Sequence, residues 1–175
     1  MPLNECLKKH LTKNPVIAPT AYIASESVLI GDVHIGPRAT IWPQCVFRGD
    51  INYIEVGECS NVQDGTVIHM AENLPVIIGR YVTIGHLAML HACIIENECL
   101  IGMHSTILDG AIVGHNSIVG AHTLVTQGMI IPPGSMVLGV PGKIVRSLSK
   151  EEQEKLPQWA ENYLEISEAY FSYSK

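Results

Sequence analysis

The chain has 175 residues, 47% of them hydrophobic and only 6% aromatic, and carries a formal net charge of −6. That is enough apolar material for one substantial core. The acidic balance, with no Lys/Arg cluster, speaks against a nucleic-acid or anionic-membrane partner, and no stretch approaches the roughly 20 apolar residues of a membrane span.

Residues 1–16 form a polar lead-in with a short helix expected around Glu5–Leu11. Lys8-Lys9 is followed by no apolar run, so no secretory signal is expected. From Ile17 onward an aliphatic residue recurs almost every six positions, as in Ile35-Gly36-Pro37-Arg38-Ala39-Thr40 followed by Ile41-Trp42-Pro43-Gln44-Cys45-Val46. A period of six suits neither a helix face nor simple strand alternation. It is the signature of a parallel β-helix, in which three six-residue sides close one triangular coil. The aliphatic opening each hexad points inward. So does position five, which is kept small: Ala39, Cys45, Ser60, Thr66, Val82, Ala88, Cys99, Ser105 and Ala111 hold it. Glycine at position two or at corners is expected to allow the sharp bends. No coil buries its own core, so stability comes from stacking roughly seven of them.

Gly139-Val140-Pro141-Gly142 cannot continue a coil, which divides the chain into a β-helix domain with its lead-in, residues 1–146, and a helical tail, residues 147–175. Ser149 and Glu152 have capping-box spacing, and Pro157 suits the first turn of a further helix. Trp159, Tyr163, Ile166 and Tyr170 recur at near-helical spacing and are expected to cover one side of the β-helix. Of five cysteines, Cys45 and Cys99 fall at inward position five, and no Cys-x-x-Cys pair exists. They read as reduced core residues of a cytoplasmic protein.

Let the sides opening at Ile35, Ile41 and Phe47 be A, B and C. His69 and His91 then both occupy position two of side C in successive coils, about 4.8 Å apart, close enough for both rings to reach one metal ion. His86 stands at position three of side B and cannot easily reach that ion within its own chain. Around a threefold axis side B of one subunit can face side C of the next, so the spacing suggests a metal held between subunits of a trimer. Arg48 lies one coil before His69, and Asp64 one coil before His86, where it could orient that ring. Asp50, Asn61 and Gln63 share these coils. His104 and His122 stack at position four of side B, and His10, His34 and His115 read as surface residues.

Phe47-Arg48-Gly49-Asp50, Asn61-Val62-Gln63-Asp64-Gly65, Ile68-His69, Ile84-Gly85-His86, Leu90-His91 and Leu100-Ile101-Gly102-Met103 together resemble the γ-class carbonic anhydrase family, over nearly the whole chain. The resemblance implies a left-handed parallel β-helix assembled as a homotrimer. It implies His69 and His91 of one subunit and His86 of the next as ligands of Zn2+, or of Fe2+ or Co2+. It further implies reversible hydration of CO2 to bicarbonate by a metal-bound hydroxide. Arg48, Asp50 and Asp64 resemble the family's interface ion pairs and Gln63 its residue bonded to the metal-bound water, while Tyr163 on the tail could reach the site from outside the coil. Active members carry glutamate directly after the Arg-Gly-Asp, where this chain has Ile51, and a longer acidic loop where it has only Met70–Pro75. Glu72 is the candidate substitute, and slow proton exit is expected. Two other readings fit the repeat: an acyltransferase using an acyl-CoA donor, and a non-catalytic trimeric metal-binding scaffold.

Overall fold

A computed structural model describes residues 2–173. Met1, which opens the expected β-helix segment, and positions 174–175, which close the expected tail, lie outside the described residues. Short strands wind into a parallel solenoid of about seven turns. Side B is one sheet, running from Tyr22–Ile23 through Thr40–Ile41, Asn61–Val62, Thr83–Ile84, Leu100–Ile101 and Ile118–Val119 to Ser135–Leu138. Sides A and C merge into a second sheet, because the long strand Val46–Val56 pairs with Val67–His69 on one side and Val76–Ile78 on the other. Neighbouring coils stay in register, Leu90 beside Ile68 and Ile101 beside Ile84, so like positions stack on like.

The hexad openers from Ile35 to Val137 are buried, Phe47 among them. Burying each such side chain contributes roughly 1.5–3 kcal/mol. Position five is inward as expected from Val33 to Ser135, with Ala21 and Ser27 in the first coil only half-buried. Most hydroxyls there bond to backbone carbonyls, Ser60 Oγ to Gly79 O at 2.7 Å and Ser105 Oγ to Gly102 O at 2.7 Å, which removes the cost of burying them; the buried Thr123 hydroxyl is the exception among the described residues. All five cysteines are buried and none forms a disulfide. Burial pushes the Cys45 thiol up to about 11 and those of Cys93 and Cys99 to about 12.

The glycines act differently from the expectation. The left-handed corner residue is position four, and it is mostly not glycine: Arg38, Gln44, Leu87, His104 and His122 all have φ between 56° and 62°. None of these is β-branched, the class for which that conformation is hardest. Position-two glycines answer a second need. A Cβ on Gly57 would stand 2.5 Å from the Gly79 backbone, and one on Gly102 2.4 Å from Ala121 N. On much of sides A and B the next coil therefore forbids a side chain at position two. Side C admits one, and there the chain carries Arg48, His69 and His91.

The first helix, α1 (Leu3–His10), packs against Val46–Val56. His10 is buried rather than on the surface. Its Nδ1 lies 2.6 Å from the buried Asp32 carboxylate, which also accepts from Lys13 Nζ at 2.7 Å and faces His34 Nε2 at 2.8 Å. After Leu138 the chain turns back, and Lys143–Ser147 pairs antiparallel with the last coil. The capping box of Ser149 and Glu152 opens α2 (Lys150–Glu154). Arg146 grips the same Glu152 through two bonds and holds its carboxyl down at about 2. The last helix, α3 (Leu156–Tyr173), has Pro157 in its first turn. Its buried face is not the expected aromatic stripe but Leu156, Ala160, Leu164 and Ser167. The small Ala160 lets the helix approach the coil closely, which rotates Trp159, Ile166 and Tyr170 to about half exposure. Only Tyr163 and Tyr170 of the stripe still reach Trp42, edge-on at 5.4 and 5.2 Å. Among the described residues no helix is long and apolar enough to cross a membrane.

Candidate metal centre

Side C stacks Arg48, His69 and His91 in register. The two rings face each other with His69 Nδ1 and His91 Nε2 3.2 Å apart. Two ligands on a tetrahedral ion at metal–nitrogen distances of 2.0–2.1 Å stand about 3.3 Å apart, so the pair already has the spacing of one edge of such a site. The opposite nitrogen of each ring meets a carboxylate: His69 Nε2 lies 3.0 Å from Asp50 Oδ1 and His91 Nδ1 2.6 Å from Asp109 Oδ1. When each carboxylate accepts an N–H from the ring it faces, the two facing nitrogens both present lone pairs. Those lone pairs repel unless a cation lies between them. In metal sites a carboxylate behind each histidine fixes the ring's tautomer and raises its basicity as a ligand. The residues fit a divalent metal.

His86 stands on side B, in the other sheet. Its Nδ1 lies 2.9 Å from Asp64 Oδ2, which leaves Nε2 as the outward nitrogen. The expected Asp64–His86 pair is therefore formed. Among the described residues of one chain, no three His, Cys, Asp or Glu side chains gather around a common point. One chain offers two candidate ligand rings in one place and a third, likewise backed by a carboxylate, in another.

Arg48 pairs with Asp50 within the chain. Burial raises the Asp50 carboxyl, but bonds from His69 and Arg48 outweigh it and hold the group below the ordinary aspartate range. For His69 burial dominates and lowers the ring below the ordinary histidine value, favouring the neutral form that ligates metals. Gln63 is buried; its Nε2 donates to Asn61 Oδ1 at 3.0 Å, and Asn61 Nδ2 donates to Thr83 Oγ1 at 2.9 Å. That directional chain leaves Gln63 Oε1 as an acceptor. Gln63, His86 and Tyr163 all line one cleft of about 330 Å³ between side B and α3. Burial, with the Asp64 charge nearby, raises the Tyr163 phenol.

Glu72, considered as an acidic relay, is half-buried and accepts from the buried Cys6 thiol of α1 at 3.6 Å. Asn52 Nδ2 donates to the Ala71 and Glu72 carbonyls and pins the short loop. Ile51 packs against the core. Asp109 was missed by sequence reasoning: the step on side C here is 17 residues, Leu90 beside Ile107, so Leu108 rather than Asp109 continues the His69–His91 column. The expected stack of His104 on His122 is present, with ring centroids 4.8 Å apart.

Residues 92–127 match the family model described as bacterial transferase hexapeptide, six repeats. The chain is 51% identical to a protein of Methanocaldococcus jannaschii named "Probable carbonic anhydrase", over 90% of this chain and 99% of that one. It is 42% identical to the mitochondrial gamma carbonic anhydrase 1 of Arabidopsis thaliana, over 95% of this chain and 65% of the relative. Among solved structures, a hexapeptide transferase family protein from Anaplasma phagocytophilum superposes with a TM-score of 0.85 at 42% identity, over 89% of this chain and 92% of that one. With a relative this similar over nearly its full length, and with the hexapeptide solenoid and histidine columns described above, the chain belongs to the γ-class carbonic anhydrase-like family.

Proposed function

We propose that the protein catalyses the reversible hydration of CO2 as a homotrimer, with His69 and His91 of one subunit and His86 of the next holding Zn2+, or Fe2+ or Co2+. The observation that carries this reading is the pair of facing nitrogens 3.2 Å apart, each ring held from behind by a carboxylate. A metal ion bound there supplies a Lewis acid that brings the pKa of a coordinated water near neutrality, which hydration of CO2 requires. Asp50, Asp64 and Asp109 keep the three rings in the ligating tautomer. Gln63 Oε1 accepts a hydrogen from water or from the hydroxyl of bicarbonate, and the Tyr163 hydroxyl flanks the same cleft. Arg48 balances Asp50 and, beside the neighbouring subunit, joins the interface charges with Asp64. Proton exit is the weak step, because Ile51 offers no carboxyl and Glu72 is engaged by Cys6. Five buried thiols without a disulfide suit the reducing cytoplasm.

The test is metal analysis of the purified protein together with CO2 hydration under reducing, anaerobic conditions. About one metal per subunit and buffer-dependent hydration support the reading. Full metal occupancy with no hydration in any buffer overturns it. Acyl transfer from an acyl-CoA is the second reading, favoured by the transferase name of the Anaplasma phagocytophilum protein. Acyl-CoA turnover by a metal-free protein would bring it forward. Metal without either activity would leave a trimeric scaffold.

A further inference from the structure

Of the eight histidines in the chain, six face a carboxylate. His10 and His34 meet Asp32, His69 meets Asp50, His86 meets Asp64, His91 meets Asp109 and His115 meets Glu96. His104 and His122 are the exceptions. Both are exposed, and neither ring has a hydrogen-bond partner among the described residues. Each faces the other, with ring centroids 4.8 Å apart and planes 6° from parallel. Both stand at left-handed corners with φ of 57°, and their turns are tied in register, His104 N to His86 O and His122 N to Met103 O, both at 2.9 Å. The rigid coil thus lines up two imidazoles in one column and supplies neither with an acceptor.

Where that column points follows from the proposed trimer, on which this inference rests. His86, at the turn out of side B, reaches one neighbour, while His69 and His91 on side C receive the other. In a closed threefold ring, the short strip of surface between a subunit's two contacts faces the axis. That strip carries Leu87 and Met89, apolar side chains 51% and 39% exposed in the single chain. The proposed contacts span three coils, from Arg48 to His91, so the solenoids stand side by side and the strip continues along the axis. Met89 pairs with Thr106 and Thr106 with Leu124, so His104 and then His122 take the place of Leu87 in the next two coils.

We infer that the three copies of His104 and His122 form two stacked imidazole triangles on the threefold axis, and that these hold one divalent transition-metal ion per trimer. This ion is additional to the three between-subunit ions of the proposed reaction. Three neutral imidazoles are a known zinc donor set, and an all-imidazole site favours Zn2+, Ni2+ or Cu2+ over Mg2+ or Ca2+. An ion in one triangle excludes a second from the other, because two dications about 4.8 Å apart repel strongly. The rings give up no internal hydrogen bond on binding it.

The experiment is equilibrium dialysis of the full-length protein against buffered free Zn2+, with zinc counted per trimer and assembly followed by light scattering. About four ions per trimer are expected, three between subunits and one on the axis. The double variant His104→Gln/His122→Gln should hold about three and hydrate CO2 at the parent rate. Gln44 already occupies this corner column, at φ 62°, so glutamine suits the backbone there. His69→Ala/His91→Ala, which lacks two ligands of the proposed reaction, should retain about one. Three ions in the parent trimer, or four in the His104→Gln/His122→Gln trimer, overturns the axial site and leaves the proposed function standing. About six in the parent, one extra per subunit, also overturns it, because each chain's pair would then bind alone. A parent trimer with a single ion, lost in the His104→Gln/His122→Gln variant, overturns the proposed metal centre and leaves the axial site standing. A chain that stays monomeric with and without Zn2+ overturns both.

Discussion

Two clusters in this molecule use the same residue types and reach opposite electrostatic ends. Around Asp32, three donors from α1, its following turn and the first coils, namely His10, Lys13 and His34, converge on one buried carboxylate. The acceptor sits at the centre, the donors surround it, and the group closes on itself. Around His69 and His91 the order is inverted. The carboxylates Asp50 and Asp109 stand outside, and two ring nitrogens are left facing each other at the centre. The first cluster is complete within one chain and holds α1 on the solenoid. The second leaves two ring nitrogens facing each other, which the proposed metal would join. Composition does not distinguish a structural histidine from a ligand; what lies on the far nitrogen and what lies between the rings does.

Removing a ligand should break this contrast most sharply. His69→Ala, His86→Ala or His91→Ala leaves two of three proposed nitrogens, and metal affinity measured against a competing chelator should fall more than 100-fold, beyond the range of outer partners. Parent-like metal content in any of the three would place the ion elsewhere. Asp109→Asn keeps the shape but no longer fixes the His91 tautomer, and a loss of about 10–100-fold is expected. Asp32→Asn should leave metal affinity unchanged. If Asp32→Asn and Asp109→Asn weaken metal binding equally, the distinction between the clusters is wrong.

The Asp32 side has its own measurement. Burial would raise this carboxyl, but bonds from Lys13, His10 and His34 more than compensate, so its folded pKa lies below the ordinary value. A carboxylate depressed on folding stabilises the protein above its unfolded pKa, near 3.9, and that stability disappears as pH falls through the folded value. Urea unfolding near pH 7 should show Asp32→Asn destabilised by about 2–3 kcal/mol, the scale of hydrogen bonds to a charged group. The gap between parent and variant should narrow as pH drops below about 4. A gap that stays constant into strong acid would remove the charge from the account.

Much of this was legible in the sequence because a solenoid turns residue number into position. Period-six spacing put His69 above His91 and Asp64 beside His86, and the register agrees for both. Asp109 was harder to find, because the coil after His91 is one residue short and the column passes to Leu108, leaving Asp109 to reach the ring from the next position. The buried His10 was less accessible, because α1 lies outside the repeat and its docking depends on Asp32, a contact no period predicts. The helical tail misled for a related reason. Its aromatic residues have helical spacing, but the helix seats on the row of Leu156, Ala160 and Leu164, where close approach is possible. Spacing alone could not rank a small row above a bulky one.

The smallest expected effect lies on the path of the proton. Ile51 follows Asp50 directly and is half-buried against the core, and Glu72 is drawn toward Cys6 on α1. Neither supplies a carboxyl free to carry a proton from the site to solvent. If hydration proceeds here, its rate in weak buffer should be limited by that exit and should rise with concentrated imidazole, which carries the proton instead. Ile51→Glu should then raise the weak-buffer rate severalfold and change little in concentrated imidazole. It should also cost about 1–2 kcal/mol of stability, since it exchanges part of an apolar side chain's burial for an ionisable one. The rate comparison must therefore be made well below the variant's melting temperature, with metal content measured in parallel. A rise of the same size in both buffers would mean that the substitution acts on the hydration step rather than on proton exit. No rise in either, at full metal occupancy and with a parent rate that does respond to imidazole, would mean that position 51 does not face the path protons take.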